Sequence, residues 1–234
     1  MTPDELRIAQ IKLCEEITLH AEQKSLTIKD ELEPIYDGVA DTEAYLLSSP
    51  KIMWILKEPY DEIESGNPYG GGWSIVDDCI AKIEEKPVSR TWYNIIYVMQ
   101  GVRNGLHWDE IDDVSENHSI ANILKEIAYI NVSKMPNQTV TSNSALRNFY
   151  EIWREILWKQ INLYNPDIII FGNTFHLFKS DFNINGDLIE AANNGVWSWK
   201  NKLLLAAYHP QRKGKEYVNN IIDIINKYYR SEEK

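Results

Sequence analysis

The chain has 234 residues, of which 44% are hydrophobic and 11% aromatic, so it is long and apolar enough to bury one sizeable core. Its formal net charge of −11 excludes a strongly basic nucleic-acid binder, and binding to DNA or RNA would need a local basic patch. Only Cys14 and Cys79 are present, which excludes a disulfide framework or a four-cysteine cluster.

The composition along the chain predicts one domain without a membrane segment. The first residues, MTPDELRIAQ, lack the charged-then-apolar pattern of a signal peptide, and no apolar run approaches the roughly 20 residues that cross a bilayer. We therefore expect a cytoplasmic monomer with no membrane contact. No segment has the composition of a linker, so we expect a single domain over 1–234, with a helical extension at 1–48 and a core at 50–225.

The first predicted element is a helix over residues 2–24. Thr2 and Glu5 have the spacing of a capping box, and Pro3 suits the first turn. One apolar stripe follows, formed by Leu6, Ala9, Leu13 and Ile17. We expect this helix to pack outside the core and to take no part in chemistry.

Strands and helices then alternate along the chain. The apolar runs that predict strands are 51–56, 127–132, 167–171 and 202–208. The patterns that predict helices are 74–85, 90–102, 145–164 and 215–229. The glycine-rich stretch GNPYGGGWS is expected to be a flexible loop. This alternation predicts a three-layer α/β/α sandwich with a mostly parallel central sheet.

Each predicted strand ends in polar residues, at Glu58, 131–134, 172–174 and His209. Ligands of such sheets bind beyond the carboxyl ends of the strands, so we expect these four groups at one edge. Each group has a plainer alternative, since Glu58 can be a solvated loop acid and Asn131 can satisfy loop backbone. The stretch FGNTF suits an anion at a helix start, but it lacks a full glycine-rich phosphate fingerprint.

The stretch YHPQRKG gives the sharpest signal. His209 follows an apolar strand and precedes Pro210, which favours an extended conformation for the histidine. Arg212, Lys213 and Lys215 form a dense basic cluster beside it, suited to phosphate groups. A histidine satisfied inside the core is the plainer alternative. The other histidines have no metal-ligand spacing, so we expect no metal and no cofactor.

Together, the segments ILKEPYDE, YINVSK, PDIIIFGNTF and LLLAAYHPQRK resemble, in that order, the uracil-DNA glycosylase superfamily over roughly residues 50–225. The resemblance implies a three-layer α/β/α fold and hydrolysis of the N-glycosidic bond of uracil or another damaged base in DNA. In its first motif, Glu58 falls in the position of the water-activating residue and Pro59 matches the motif proline. Tyr60 matches the aromatic that walls the base pocket, and Leu56 stands where the family has glycine.

The middle motifs imply residues that bind the base. Asn131 and Lys134 look like the Asn-x-x-Lys strand end of the family, whose amide pairs with the Watson–Crick edge of the flipped base. Gly172 matches the glycine of its Leu-Gly strand, and Asn173 follows directly. The resemblance therefore adds these four residues to the expected base-binding set.

The last motif implies a group that assists the leaving base. His209 matches the histidine of the His-Pro-Ser-Pro motif, which steadies the departing base, and Gln211 with Arg212 replaces Ser-Pro. Arg212, Lys213 and Lys215 are then expected to bind DNA phosphates. The expected partner is DNA.

Two other functions fit the same pattern. One is a nucleic-acid-binding module without catalysis on the same fold, and the other is a hydrolase of a free nucleoside or another small ligand. An electropositive groove beside His209 would favour either DNA-binding function, and a closed, acidic-rimmed pocket would favour the small ligand.

Overall fold

The fold is taken from a computed structural model that describes residues 1–29, 31–64, 67–85, 88–137, 142–192 and 195–229. Its strands are β1 (Gly38–Val39), β2 (Ile52–Leu56), β3 (Glu62–Glu64), β4 (Asn67–Tyr69), β5 (Ile127–Asn131), β6 (Ile168–Gly172), β7 (Ile189–Ala192), β8 (Val196–Trp199) and β9 (Lys202–Ala207). Its α-helices are α1 (Pro3–Gln23), α2 (Thr42–Leu47), α3 (Arg90–Asn104), α4 (Asn143–Tyr164), α5 (Phe175–Phe182) and α6 (Lys215–Tyr228).

Shorter helical segments complete the described chain. Three of them are 3₁₀-helices, at Ile83–Glu85, Trp108–Glu110 and His118–Glu126. The predicted helix over 74–85 is not one α-helix, because it begins as a π-helix at Ile75–Ile80. There the Ala81 N–H donates to the Val76 carbonyl at 2.7 Å, five residues back. Within the described ranges, no helix has the length and apolarity to cross a bilayer.

A mixed sheet organises the chain, in the order β1-β5-β2-β6-β9-β8-β7. Strands β5, β2, β6 and β9 are mutually parallel and coincide with the four predicted strands to within one or two residues. The antiparallel strands β1, β8 and β7 lie outside them, and β3 pairs with β4 as a separate hairpin. The prediction of an α/β protein with a mostly parallel central sheet is confirmed.

Helices cover both faces of this sheet, as the alternation of side chains along β2 illustrates. Ile52, Trp54 and Leu56 point into one buried cluster, which contains the apolar faces of α3 and α6. Met53 and Ile55 point into the other, formed with α1, α4 and α5. Because both faces are covered, every residue of β2 is buried, as is usual for a central parallel strand.

The N-terminal helix has the predicted cap but a different position. Thr2 Oγ1 accepts from the Glu5 N–H at 3.2 Å, and Glu5 Oε2 accepts from the Thr2 N–H at 2.7 Å. Leu6 and Ile17 are completely buried in the cluster shared with α4. The expectation that this helix packs outside the core is therefore wrong, because the stripe that predicted the helix is itself a core face.

The glycine-rich stretch is not a loose loop. Gly66 lies outside the described residues, but Gly71 has φ +90°, and a Cβ there would lie 1.8 Å from the Glu33 carbonyl oxygen. Backbone hydrogen bonds of 2.8–2.9 Å join residues 70–73 to residues 31–36. Asp61 Oδ2 accepts from the Gly71 N–H at 2.7 Å and from Trp73 Nε1 at 2.8 Å. Glycine allows this close backbone contact, which sequence periodicity does not report.

Candidate functional site

A cavity of about 780 Å³ lies at the carboxyl edge of the parallel strands. Strand order reverses at β2, since β5 lies on one side of it and β6 on the other, and ligands bind at such switch points. The cavity is lined by residues at or after the ends of all four parallel strands, among them Glu58, Asn131, Asn173 and His209. The expectation that the polar strand ends share one edge is confirmed.

Glu58 forms part of the cavity wall directly after β2. Its loop runs beside the loop that follows β5, where the Ser133 N–H donates to the Lys57 carbonyl at 2.9 Å and the Asn137 N–H to the Pro59 carbonyl at 3.1 Å. Glu58 is half-buried, and its Oε2 is inaccessible to water. Two backbone hydrogen bonds from the loop after β5 thus fix the turn, and Glu58 is not a fully solvated acid.

Asn131, the last residue of β5, is one of the residues that line the cavity. The residue is only 1% exposed, and its Nδ2 donates to no described acceptor. Its backbone is held from behind, because its N–H donates to Asp37 Oδ2 at 2.7 Å and its carbonyl accepts from Lys134 Nζ at 2.8 Å. A fixed strand end therefore offers a donor to a ligand.

Lys134 lies outside the cavity, although the resemblance placed it among the base-binding residues. It is completely buried, and its Nζ lies 2.8 Å from both carboxylate oxygens of Asp37. Burial lowers the pKa of Lys134, and the Asp37 carboxylate opposes that shift. Gln160 Nε2 also donates to Asp37 Oδ1 at 2.7 Å. Lys134 thus supports the backbone of Asn131 and does not reach a ligand.

His209 lines the cavity after β9 in a defined tautomer. Its Nδ1 accepts from the Gln211 N–H at 3.2 Å, so the neutral ring carries its proton on Nε2. Burial, as the largest cause, and the nearby cations Lys57 and Lys213 together lower the pKa of His209 to about 4. At neutral pH the ring is uncharged, with one N–H donor available.

Gly172 and Asn173 have different roles at the end of β6. Gly172 does not line the cavity; a Cβ there would lie 2.3 Å from Leu56 Cδ2 and 3.3 Å from Pro210 Cδ. The glycine therefore lets β2 and the loop after β9 approach each other. Asn173 lines the cavity with φ +65°, held by its N–H, which donates to the Ala207 carbonyl at 2.8 Å.

The predicted basic cluster is divided in space. Lys213 lines the cavity, with its Nζ 4.7 Å from the centroid of the Tyr208 ring. Arg212 lies in an adjoining cavity that Lys213 also lines. Lys215 points away and forms an ion pair with Asp109. Two of the three predicted phosphate-binding residues therefore stand beside the candidate site, and Lys215 does not.

Aromatic side chains form much of the remaining wall. Tyr60, which was predicted, is 57% exposed at the cavity mouth. Trp73, Trp92 and Tyr129 were missed, and Trp92 meets Tyr129 edge-on with centroids 6.2 Å apart. Asp61 could have indicated Trp73, because a carboxylate at a turn accepts hydrogen bonds from donors such as an indole N–H.

Comparison with known proteins adds no family assignment. Neither a scan against models of protein families nor a search of the curated proteins finds a match. Within the described part of the chain, no three His, Cys, Asp or Glu side chains are grouped so as to hold a metal ion. The case for a function therefore rests on the motifs and on the cavity itself.

Proposed function

We propose that the protein hydrolyses the N-glycosidic bond of uracil or another damaged base in DNA, on a three-layer fold of the uracil-DNA glycosylase type. One observation carries the proposal: Glu58, Asn131 and His209 lie at or after the ends of three different strands and line one cavity. The helices on both faces of the sheet support the three-layer arrangement. Each of the three side chains has a distinct chemical part in the reaction.

Cleavage of the bond builds positive charge on the sugar and negative charge on the leaving base. The Glu58 carboxylate stabilises the sugar cation and orients a water, whose oxygen bonds to the anomeric carbon while its proton passes to Glu58. The electron pair of the broken bond stays on the base nitrogen. His209 donates its Nε2–H to a base oxygen and stabilises this negative charge, as a donor in an oxyanion hole does.

Recognition of the base falls to the cavity walls. An extruded base is read by hydrogen bonds to its Watson–Crick edge and by stacking on aromatic side chains. The Nδ2 group of Asn131 is a buried donor that suits a base carbonyl oxygen. Tyr60, Trp92 and Tyr129 supply the aromatic surface. A base that lacked the acceptor would leave the donor unsatisfied, at a cost of about 1–3 kcal/mol.

Local charge supports DNA over a free small ligand. Lys57, Arg212 and Lys213 lie at or beside the cavity, although the whole chain carries a net charge of −11. Cations next to a base pocket suit the phosphates that flank an extruded nucleotide. The cavity is therefore not acidic-rimmed, which is the feature that would favour a free nucleoside.

The test is incubation with uracil-containing single-stranded and duplex oligonucleotides, followed by alkaline cleavage at abasic sites. We expect Glu58→Gln to slow base release about a hundredfold, because it removes the charge that stabilises the sugar cation. Glu62→Gln is the matched control, since Glu62 is exposed in β3 and does not line the cavity. Both variants should fold like the wild type.

Two results would redirect the proposal. A wild type that binds the oligonucleotides but releases no base would be a binding module. A wild type that cleaves only free deoxyuridine would be a small-molecule hydrolase. Equal rates for the wild type and Glu58→Gln would remove Glu58 from the mechanism.

A further inference from the structure

A second cavity, of about 550 Å³, adjoins the first, and we call it the neighbouring cavity. It is lined by Val88, Arg90, Tyr93, Asn94, Trp108, Arg212 and Lys213. Lys213 lines both cavities, and the start of α3 lies between them, since Ser89 and Thr91 line the first cavity. The two cavities therefore lie side by side and share Lys213 in their walls.

The neighbouring cavity is lined by three cations that form none of the described ion pairs. Arg90, Arg212 and Lys213 take part in none of the described ion pairs, while cations elsewhere, such as Arg154 and Lys215, are paired. Arg90 is also the first residue of α3, where the helix dipole is positive and a cation is unfavourable. Three exposed cations that line one cavity and form none of the described ion pairs suit an anionic ligand.

Aromatic and polar groups complete the wall. Trp108 is stacked on Tyr97 with centroids 4.0 Å apart, which holds its ring in place. Asn94 is 3% exposed; its Nδ2 donates to the Pro210 carbonyl at 2.6 Å, and its Oδ1 accepts from no described donor. The cavity thus offers cations for a phosphate, rings for a base and one buried acceptor, which is the combination that binds single strands.

We propose that the neighbouring cavity holds the nucleotide next to the extruded one, in a single strand of DNA. Its phosphate lies against Arg90, Arg212 and Lys213, and its base against Tyr93 and Trp108. In a duplex, pairing with the opposite strand would keep that base out of the cavity, so single strands are the preferred substrate. This inference rests on the proposed function, because it extends the strand from the base that the first cavity takes.

Binding measurements test this proposal without release of the base. In Glu58→Gln protein, fluorescence anisotropy measures the affinity for a short labelled single strand with one central uracil. Adding Arg90→Ala to this protein should weaken binding about tenfold. It should also reduce the slope of log K against log salt by about 0.7, the contribution of one phosphate contact in a single strand. Lys12→Ala is the matched control, because Lys12 is an exposed residue of α1 that lines neither cavity.

The base is tested separately from the phosphate. Replacing both nucleotides beside the uracil by abasic spacers removes their bases and keeps every phosphate. Binding should weaken about tenfold, because one base would no longer stack on an aromatic side chain. Trp108→Ala should abolish that difference between the two strands. The same uracil strand annealed to its complement should bind more weakly than the single strand.

The outcomes separate this inference from the proposed function. Equal binding by the Arg90→Ala and Lys12→Ala variants, no effect of the spacers, or a preference for duplex would overturn the inference even if the wild type releases uracil. The expected losses of binding in a protein that releases no base would uphold the neighbouring cavity and refute the glycosylase. Absence of any strand binding would refute both.

Discussion

His209 links the chemistry of the cavity to the stability of the protein. Its pKa is about 4 in the folded chain and near 6.5 when unfolded. Between these values the unfolded chain binds the proton more tightly, so protonation favours unfolding. The contribution of neutral His209 to the free energy of unfolding is fully present above pH 6.5 and is lost as the pH falls towards 4. The loss amounts to at most about 3 kcal/mol.

The variant His209→Asn removes this titration. We expect urea unfolding of the wild type to lose more stability than that of His209→Asn when the pH is lowered from 6.5 to 4, since only the wild type has this group to protonate. The other histidines are common to both proteins and cancel in the difference. Parallel pH profiles for the two proteins would show that His209 titrates normally.

Single residues were predictable from the sequence where they end a buried strand. Glu58, Asn131 and His209 each follow an apolar run, and parallel strands bring such ends together. Lys134 and Lys215 also come shortly after buried strands, but they do not line the cavity. Their ammonium groups instead form ion pairs with Asp37 and Asp109. The sequence around each lysine does not indicate its partner, because the two carboxylates are 97 and 106 residues away in the chain.

At the scale of elements, α1 packs as part of the core and is not a peripheral helix. Ile17 is completely buried, and Ile11 on the same helix is 55% exposed. We expect Ile17→Ala to lower the free energy of unfolding by about 2–5 kcal/mol, the range for deleting a large buried side chain. Ile11→Ala, the matched control, should change it by less than about 0.5 kcal/mol. Equal effects in urea unfolding would place α1 outside the core.

The Asp37–Lys134 pair joins the segment before β1 to the end of β5, and Gln160 adds α4. Lys134→Met leaves the Asp37 carboxylate buried without its cation, and we expect a loss of about 3–5 kcal/mol in unfolding free energy. Adding Asp37→Asn should recover part of the loss, because the amide oxygen still accepts while the charge is gone. No recovery in the double variant would mean that the charge is not the cause.

The central elements were predictable and the outer ones were not, for a physical reason. Strands β2, β5 and β6 are buried throughout, and β9 is buried over Leu203–Leu205, so each contains a continuous apolar run. Strand β1 has two residues, and β7 and β8 lie at the antiparallel edge, so their patterns are short and mixed. The segment 31–36 and the glycine stretch hold each other by backbone contacts, which leave no periodic signature.

Over the whole molecule, charge is distributed unevenly. The net charge of −11 predicted poor binding to nucleic acid, because a sum cannot report where charges lie. Lys57, Arg90, Arg212 and Lys213 gather around the two adjoining cavities. If the protein binds DNA as proposed, we expect these cations to direct the strand to the two cavities.

This arrangement makes a prediction about two basic residues that are close in sequence. Arg212 lines the neighbouring cavity, and Lys215 is paired with Asp109. In salt titrations of single-strand binding, Arg212→Ala should reduce the slope of log K against log salt by about 0.7, since one phosphate contact and its released counterion are lost. Lys215→Ala should leave the slope unchanged, because its charge is already neutralised. Equal slopes for the two variants would mean that the basic cluster acts only through its total charge.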